Sequence, residues 1–407
     1  MKTQLEKQCI IKVLTDKYRR SRKREKGEIL DEACKALEVG RKQAIRLLNS
    51  AEVGRPRNPV KRGRPSKYQD HDFKVALRRV WRIIRFPCSR ALKAAIPQWL
   101  VAIEAEYGAF RADIQERLLL ISAPTIDRIL RPYKVEKGKS LTRSGGFRDE
   151  IPIQGNIWDT KVPGHMETDT AVMCGGSMCG DFINTVTMVD IATIWTETRA
   201  VFGRGSNVTF DAIRDIEHRL PFLIVGYDAD NGGEVLNRHL FDYFHTDRLS
   251  KGLPPVAVTR SRAYCKNDNA HVEQRNDTLV RKYLGYERLE FRELVPLINY
   301  YYAEIVCPLI NHFMPTFKLE DKVRIKSRTR RIYKDPQTPY QRLMDSAYLS
   351  ENQKLRLKLT HESLNPVTLS KLESRVRKLI DQALRSLRAG TGMPRNTPEY
   401  KLWGALL

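Results

Sequence analysis

Three acidic residues stand in surroundings that suit phosphoryl chemistry better than the other carboxylates of the chain do. Asp169 lies within a short apolar run, where an ionised side chain is costly unless something pairs with it. Asp230 follows another apolar run and precedes a glycine pair, which permits a tight exit into a helix. Glu273 shares one face of a predicted helix with Asn269 and Asn276, through the spacings i, i+4 and i, i+3. These contexts make the three acids candidates for a common site.

Three carboxylates brought together would repel one another, so such a site requires a compensating cation. Hard oxygen ligands with open coordination positions favour Mg²⁺ or Mn²⁺, which keep bound waters and take substrate phosphate. Two such ions about 3.5–4 Å apart can activate an attacking oxygen and stabilise the leaving oxygen of an in-line displacement. We therefore expect phosphodiester chemistry with two ions held by Asp169, Asp230 and Glu273, and no nucleotide cofactor.

From about residue 150 the apolar pattern indicates strands that alternate with helices. The predicted strands are His165–Val172, Phe182–Asp190, Thr193–Val201, Phe222–Tyr227 and Pro255–Thr259. The predicted helices are Asn207–Leu220, Glu234–Thr246 and Asp268–Leu284. Three strands close together, followed by strands alternating with helices, are typical of a mixed α/β sheet. Asp230 is then expected at the carboxyl end of a strand, where open α/β sheets build their sites.

Three segments carry a family resemblance: TDT (168–170), DADNGGEVLN (228–237) and KNDNAHVEQRN (266–276). In this order they resemble the DDE integrase core shared by bacterial insertion-sequence transposases and retroviral integrases, most densely over about 155–320. The resemblance implies an α/β RNase H-like fold, a mixed five-stranded sheet with helices. It also implies that the three acids are catalytic metal ligands. The implied activity is a transposase that cleaves mobile-element ends and transfers the 3′-hydroxyl strands into target DNA.

The sequence departs from the family pattern at two points. The gap between the second and third acids is longer than is usual, which an insertion around Asp247–Pro255 would explain. Asp228 remains an alternative to Asp230 as the second acid, although the resemblance aligns Asp-Asn-Gly and so favours Asp230. Two flanking residues, Lys266 and Asn276, could contact DNA phosphate or orient Glu273.

The charge balance favours DNA as a partner. Lys and Arg total 72 against 48 for Asp and Glu, a formal net charge of +24. Binding of such a basic chain to DNA is favourable because the DNA phosphates release condensed counterions. The 7 scattered cysteines favour a reducing compartment over a disulfide framework or a zinc site. No apolar run is long enough to span a membrane. We expect a cytoplasmic, nucleoid-associated bacterial protein that binds double-stranded DNA.

Residues 1–50 have the pattern of a helix-turn-helix, whose second helix begins with Arg41, Lys42 and Gln43 and could read a major groove. Residues 51–69 are predicted to be a basic linker. Within it, Arg62 and Arg64 belong to an AT-hook-like tetrapeptide suited to a narrow minor groove.

Residues 70–145 are predicted to be a second helical DNA-binding domain, with Val75, Leu77 and Trp81 on a core face and Arg128 on an outer face. The catalytic core is placed at 150–315. A basic C-terminal region, 316–407, follows. Lys322, Arg324, Lys326, Arg328 and Arg330 alternate there, and a single extended strand would present them all on one cationic face.

Three other functions remain open from the sequence. An RNase H-like nuclease would hydrolyse DNA without strand transfer. A transposase-derived DNA-binding regulator would bind without catalysis, but all three acids are present. A tyrosine recombinase is disfavoured, because the acids and not an Arg/His/Tyr set fall in ordered motifs. Paired insertion of two element ends would require a homo-oligomer on DNA.

Overall fold

The computed structural model describes residues 4–50, 67–133, 161–229, 234–260, 270–325, 328–396 and 400–401. The chain divides into two compact units, Met1–Ser66 and Lys67–Leu407.

The first unit contains α1 (Gln4–Arg20), α2 (Lys23–Leu37) and α3 (Arg41–Ser50). Apolar side chains spaced at helical intervals form its core: Leu14, Ile29, Leu30, Ala33, Ala44 and Leu48. Glu38 ends α2 in the left-handed conformation, with φ at 57°, and so turns the chain toward α3. The two helices predicted on either side of this turn are present, and their use in reading DNA stays a prediction.

The second unit begins with four helices: α4 (His71–Ile83), α5 (Ser89–Tyr107), α6 (Ala112–Leu120) and α7 (Ala123–Leu130). Asp70 caps α4 by accepting a hydrogen bond from the Phe73 amide at 2.8 Å. Leu77 and Trp81 are buried as predicted, but the prediction for Val75 was wrong. Val75 is exposed because the core face follows the spacing of Phe73, Leu77 and Trp81, and Val75 lies on the opposite side of the helix.

These four helices share one hydrophobic core with the C-terminal helices. The Trp99 indole donates a hydrogen bond to the Phe313 carbonyl at 3.0 Å. Ser370 donates to the Ile83 carbonyl at 2.8 Å. The predicted boundary at 145 lies outside the described residues, so the division between a second DNA-binding domain and the core stays a prediction.

A mixed five-stranded sheet forms the centre of the second unit, in the order β3-β2-β1-β4-β5. The strands are β1 (His165–Val172), β2 (Ile183–Asp190), β3 (Thr196–Phe202), β4 (Gly226–Ala229) and β5 (Ala257–Arg260). β1, β2 and β3 pair antiparallel, whereas β4 and β5 continue the sheet in parallel with β1. The α/β class and the mixed five-stranded sheet expected from the sequence are therefore confirmed.

β2 and β5 begin one and two residues later than predicted, and the two larger differences are at β3 and β4. β3 begins at Thr196 and not at Thr193, because Asp190 accepts hydrogen bonds from the amide and hydroxyl of Thr193 and holds a turn there. β4 begins at Gly226 and runs through Asp228, so the apolar run 222–225 precedes the strand.

Helices follow the strands and cover the sheet. The intervening helices are α8 (Ser206–Arg219), α9 (Arg238–Asp242) with α10 (Arg248–Ser250), and α11 (Ala270–Arg275) with α12 (Lys282–Leu284). The later helices are α13 (Val295–Tyr300), α14 (Cys307–Phe313), α15 (Pro339–Met344), α16 (Glu351–Ser363) and α17 (Pro366–Arg388). π-helical turns join three pairs of these segments: Tyr243–Asp247, Asn276–Arg281 and Tyr301–Val306.

Two asparagine side chains form hydrogen bonds with backbone amide and carbonyl groups on the outer edge of β3. Asn311 accepts from the Thr196 amide and donates to the Thr196 carbonyl, both at 2.9 Å. Asn299 makes the same pair of bonds with Ala200, at 2.7 and 3.0 Å. An edge strand otherwise leaves these backbone groups unpaired. The helical segment 295–313 thus protects the edge of the sheet through two amides.

We expect Asn311→Ala to lower the free energy of unfolding by about 2–4 kcal/mol, because two buried backbone groups lose their partners. Urea unfolding of the purified chain would measure this loss. Asn352→Ala, at an exposed position of α16, is the matched control and should change stability by no more than about 0.5 kcal/mol. Equal stabilities of the two variants would contradict the role assigned to Asn311.

The basic stretch after α14 forms a two-stranded hairpin, β6 (Leu319–Ile325) and β7 (Arg328–Tyr333). Lys322 pairs with Arg331, whereas Arg330 pairs with Val323. Paired residues share a face, so the hairpin turn places Arg328 and Arg330 on the face opposite to Lys322 and Arg324. The prediction of one cationic face was therefore wrong, because the segment is not a single strand.

Candidate active site

Asp169 lies in the middle of β1, where strand alternation puts it on the same face as Glu167. Its side chain is partly buried. One carboxylate oxygen, Oδ2, accepts a hydrogen bond from the Asn276 side-chain amide at 2.7 Å. The other, Oδ1, accepts from the Thr170 amide at 2.7 Å. The carboxylate is thus oriented by its neighbours and still reaches the surface of the sheet.

Glu273 lies on α11, one helical turn before Asn276, and is exposed. The Asn276 side chain is partly buried, and its Oδ1 atom has no hydrogen-bond partner. Of the predicted polar face, Asn276 contacts the strand that carries Asp169, whereas Asn269 lies outside the described residues. Asn276 orients Asp169, whereas the sequence had suggested that it orients Glu273 or contacts DNA.

The two candidates for the second acid differ in their surroundings. Asp228 lies inside β4, is only 3% exposed and accepts a hydrogen bond from the Thr259 hydroxyl at 2.6 Å. β4 ends at Ala229, which pairs in parallel with Thr168, the residue before Asp169. Asp230 follows Ala229 in the chain and lies outside the described residues.

Glu167 is a buried acid that the sequence analysis did not single out. Its carboxylate accepts hydrogen bonds from the amides of His271 and Val272, at 3.0 and 3.1 Å, and from the His271 imidazole at 2.8 Å. The only signal for it in the sequence is its position two residues before Asp169 on the same strand face.

Two further titratable groups near β1 serve the fold. Asp190 accepts hydrogen bonds from the Gly164 amide at 2.8 Å and from Thr193, and burial raises its pKa to about 6. Burial lowers the pKa of His165, which lies against the backbone of Gly226. Asp190 therefore holds a turn at the end of β2, which ends at the predicted residue.

The described oxygens suit a hard divalent cation, since Asp169 supplies a carboxylate and the partnerless Asn276 oxygen lies beside it. Within the described ranges, no three His, Cys, Asp or Glu side chains come together as a metal-binding group. Those ranges do not include Asp230.

The predicted DNA contacts fall into two sets. Arg62, Arg64, Lys266 and Lys326 lie outside the described residues. On α3, Arg41 forms an ion pair with Asp31, and Lys42 and Gln43 are exposed. Arg128 is exposed and donates a hydrogen bond to the Thr125 hydroxyl at 3.2 Å. Arg324 lies in β6. Contact with DNA stays a prediction for each of them.

Among the described helices, none combines the length and the apolar character needed to cross a membrane.

The chain is 34% identical over 340 residues to the uncharacterized protein y4rM of Sinorhizobium fredii (strain NBRC 101917 / NGR234). That match spans 82% of this chain and 93% of y4rM. No protein-family model matches the chain. A chain in the cryo-electron-microscopy structure of the simian T-cell lymphotropic virus intasome in complex with PP2A regulatory subunit B56 gamma is similar over 58% of this chain and 86% of that chain. Its identity to this chain is 14% and its TM-score is 0.28.

Proposed function

Because the chain belongs to the same family as the uncharacterized protein y4rM, whose name states no activity, we propose a function from the site itself. The protein is a metal-dependent DNA transposase with an RNase H-like core. It cleaves the ends of a mobile element and transfers the 3′-hydroxyl strands into target DNA. The sheet supports this fold proposal, since three antiparallel strands are continued by two parallel strands reached through helices.

The hydrogen bond between Asp169 and Asn276 is the observation that carries the proposal. It joins the strand with the first acid to the helix with the third acid, although more than 100 residues separate them in the chain. Glu273 lies one turn from Asn276, so the same contact brings the Glu273 helix to the Asp169 strand. This contact supports the proposal that Asp169 and Glu273 belong to one site.

We assign the second carboxylate to Asp230. Asp228 is buried and bonded to Thr259, which suits a structural role. β4 runs parallel to β1, and its last residue, Ala229, pairs with Thr168, the residue before Asp169. Carboxyl ends of parallel strands are where α/β sheets place their sites.

Asp169, Asp230 and Glu273 would hold two Mg²⁺ or Mn²⁺ ions, which supply an activated oxygen nucleophile and stabilise charge on the leaving oxygen. Asn276 fixes the rotamer of the Asp169 carboxylate by donating to Oδ2. Its own Oδ1 is buried without a partner, so it can accept a hydrogen bond from an ordered internal water. Glu273 is exposed, so a DNA phosphate can reach it.

The net charge of +24 supports double-stranded DNA as the partner. Part of this charge lies in α3, which begins with the exposed Arg41 and Lys42, and part lies in the sequence of the β6–β7 hairpin. We propose that these regions hold element ends and target DNA, and that a homo-oligomer forms on the DNA so that two ends are inserted together.

Labelled duplexes made from the DNA flanking the gene, incubated with supercoiled plasmid and Mg²⁺, test the proposal. We expect labelled strands joined covalently to the plasmid, and no product when EDTA replaces Mg²⁺. Hydrolysis at the ends without joined molecules would favour the nuclease. Binding to the ends without any product would favour the regulator.

A further inference from the structure

Glu167 is 3% exposed, and a buried carboxylate is costly unless it is paired or hydrogen-bonded. All the hydrogen bonds described above for Glu167 come from the beginning of α11. The first amides of a helix have no partner within the helix. A carboxylate at this end also interacts favourably with the helix dipole. Glu167 therefore fastens the beginning of α11 to the middle of β1.

We propose that Glu167 is a positioning residue for the metal-binding acids, an inference that rests on the proposed function. The helix is held to β1 at two places, by Glu167 at His271 and Val272 and by Asp169 at Asn276. Glu273 lies between these two places. Its position relative to Asp169 is therefore set by both contacts, and without Glu167 the first amides of the helix would lose their hydrogen bonds to β1.

His271 completes the contact through its side chain. Its Nδ1 atom lies 2.8 Å from Glu167 Oε1, and the acceptor character of a carboxylate requires that Nδ1 carry the proton. An asparagine side-chain amide can donate from nearly the same position as Nδ1. His271→Asn thus preserves the third bond, whereas His271→Ala removes it.

Other contacts limit the size of the expected effect. Arg275 is buried and donates to the Ile194 carbonyl at 3.2 Å, and Val272 packs against Val189 and Ile194. These contacts keep α11 on the sheet when the Glu167 bonds are weakened. Glu167→Gln should therefore displace the acids without unfolding the chain.

The test compares full-length wild type with Glu167→Gln, His271→Asn and His271→Ala. Glu373→Gln is the matched control, because Glu373 is equally buried but pairs with Arg85 and Tyr301 away from the site. Two readouts do not require DNA: hydrogen exchange of the amides in 270–276, and affinity for Mn²⁺ measured from the electron paramagnetic resonance signal of free Mn²⁺. Strand-transfer kinetics with the element ends give the third.

Glu167→Gln should raise the exchange rate of these amides by about 10-fold or more, since charge-assisted hydrogen bonds are lost. Its Mn²⁺ affinity and its kcat should fall about 10- to 100-fold, with KM for DNA ends nearly unchanged. His271→Asn should resemble wild type, and His271→Ala should fall between wild type and Glu167→Gln. Glu373→Gln should lower thermal stability and leave the exchange of 270–276 and the Mn²⁺ affinity unchanged.

Wild-type exchange and Mn²⁺ affinity in Glu167→Gln would overturn the inference. If Glu167→Gln does not fold, equal values for His271→Ala and His271→Asn would overturn it instead. The variant Asp169→Asn distinguishes a failure of the positioning inference from a failure of the proposed function. If Asp169→Asn loses Mn²⁺ binding and Glu167→Gln keeps it, only the positioning role of Glu167 is overturned. Unchanged Mn²⁺ binding in Asp169→Asn would instead contradict the metal site itself, and with it the transposase proposal, whatever the exchange data give.

Discussion

Asp169→Asn is expected to reduce both cleavage of element ends and strand transfer by at least about 1,000-fold, a loss of roughly 4 kcal/mol of transition-state stabilisation. The substitution removes the negative charge that would hold the cation. It keeps the size of the side chain and one oxygen that can still accept from Asn276, and it loses only the local hydrogen bond from the Thr170 amide. Affinity for the element ends and the thermal unfolding midpoint should therefore stay close to wild type. Gel assays of labelled end cleavage and plasmid joining measure the effect.

Asp277→Asn is the matched control for this loss. Asp277 is exposed on the same helical segment as Asn276 and accepts a hydrogen bond from the Tyr286 hydroxyl at 3.4 Å. The same change of charge there should leave both activities within about twofold of wild type, because the residue is outside the proposed site. If Asp169→Asn kept every DNA activity of the wild type, the protein would be a DNA-binding regulator and the catalytic proposal would fail.

Trp99→Ala is expected to lower the free energy of unfolding by about 3–5 kcal/mol, the usual cost of removing a large buried aromatic side chain. Trp99 is fully buried, and its loss also leaves the Phe313 carbonyl without the indole donor. Urea unfolding followed by circular dichroism measures the change. Val101→Ala is the control in the same helix, since Val101 is 72% exposed, and should change stability by no more than about 0.5 kcal/mol.

Trp99→Ala also tests whether the helices and the sheet of the second unit unfold cooperatively. Trp99 joins α5 to the end of α14, and the two regions share a hydrophobic core. We expect Trp99→Ala to accelerate hydrogen exchange both in α4–α7 and in β1–β3, because the helices support the sheet. Acceleration confined to α4–α7 would favour the independent second DNA-binding domain that the sequence predicts at 70–145.

Much of the sheet follows from local patterns in the sequence. β1 has the predicted bounds His165–Val172. The helix with Glu273 follows in the same way from apolar spacing. The predicted bounds failed where a tertiary contact decides them, as at Thr193, where the Asp190 carboxylate holds a turn that no periodicity reveals.

The candidate site shows the same difference between residues that local sequence reveals and residues whose contacts only the fold reveals. Its acids could be selected by context, and the family resemblance already favoured Asp230 over Asp228, whose buried hydrogen bond to Thr259 suits a structural role. Glu167 and Asn276 act across the fold, on residues more than 100 positions away, so their partners are not encoded near them. Asn311 belongs to a segment that resembles the integrase family, but its role at the edge of β3 depends on a contact between distant segments.

Diffraction from crystals of the full-length protein soaked in Mn²⁺, recorded at a wavelength where manganese scatters anomalously, would locate the cations directly. We predict anomalous peaks between Asp169 and Glu273, with carboxylate oxygens at about 2.0–2.2 Å, and Asp230 completing the ligand set. Ordered side chains of these three acids that point away from one another, with no manganese between them, would contradict the assignment of phosphoryl transfer to this site.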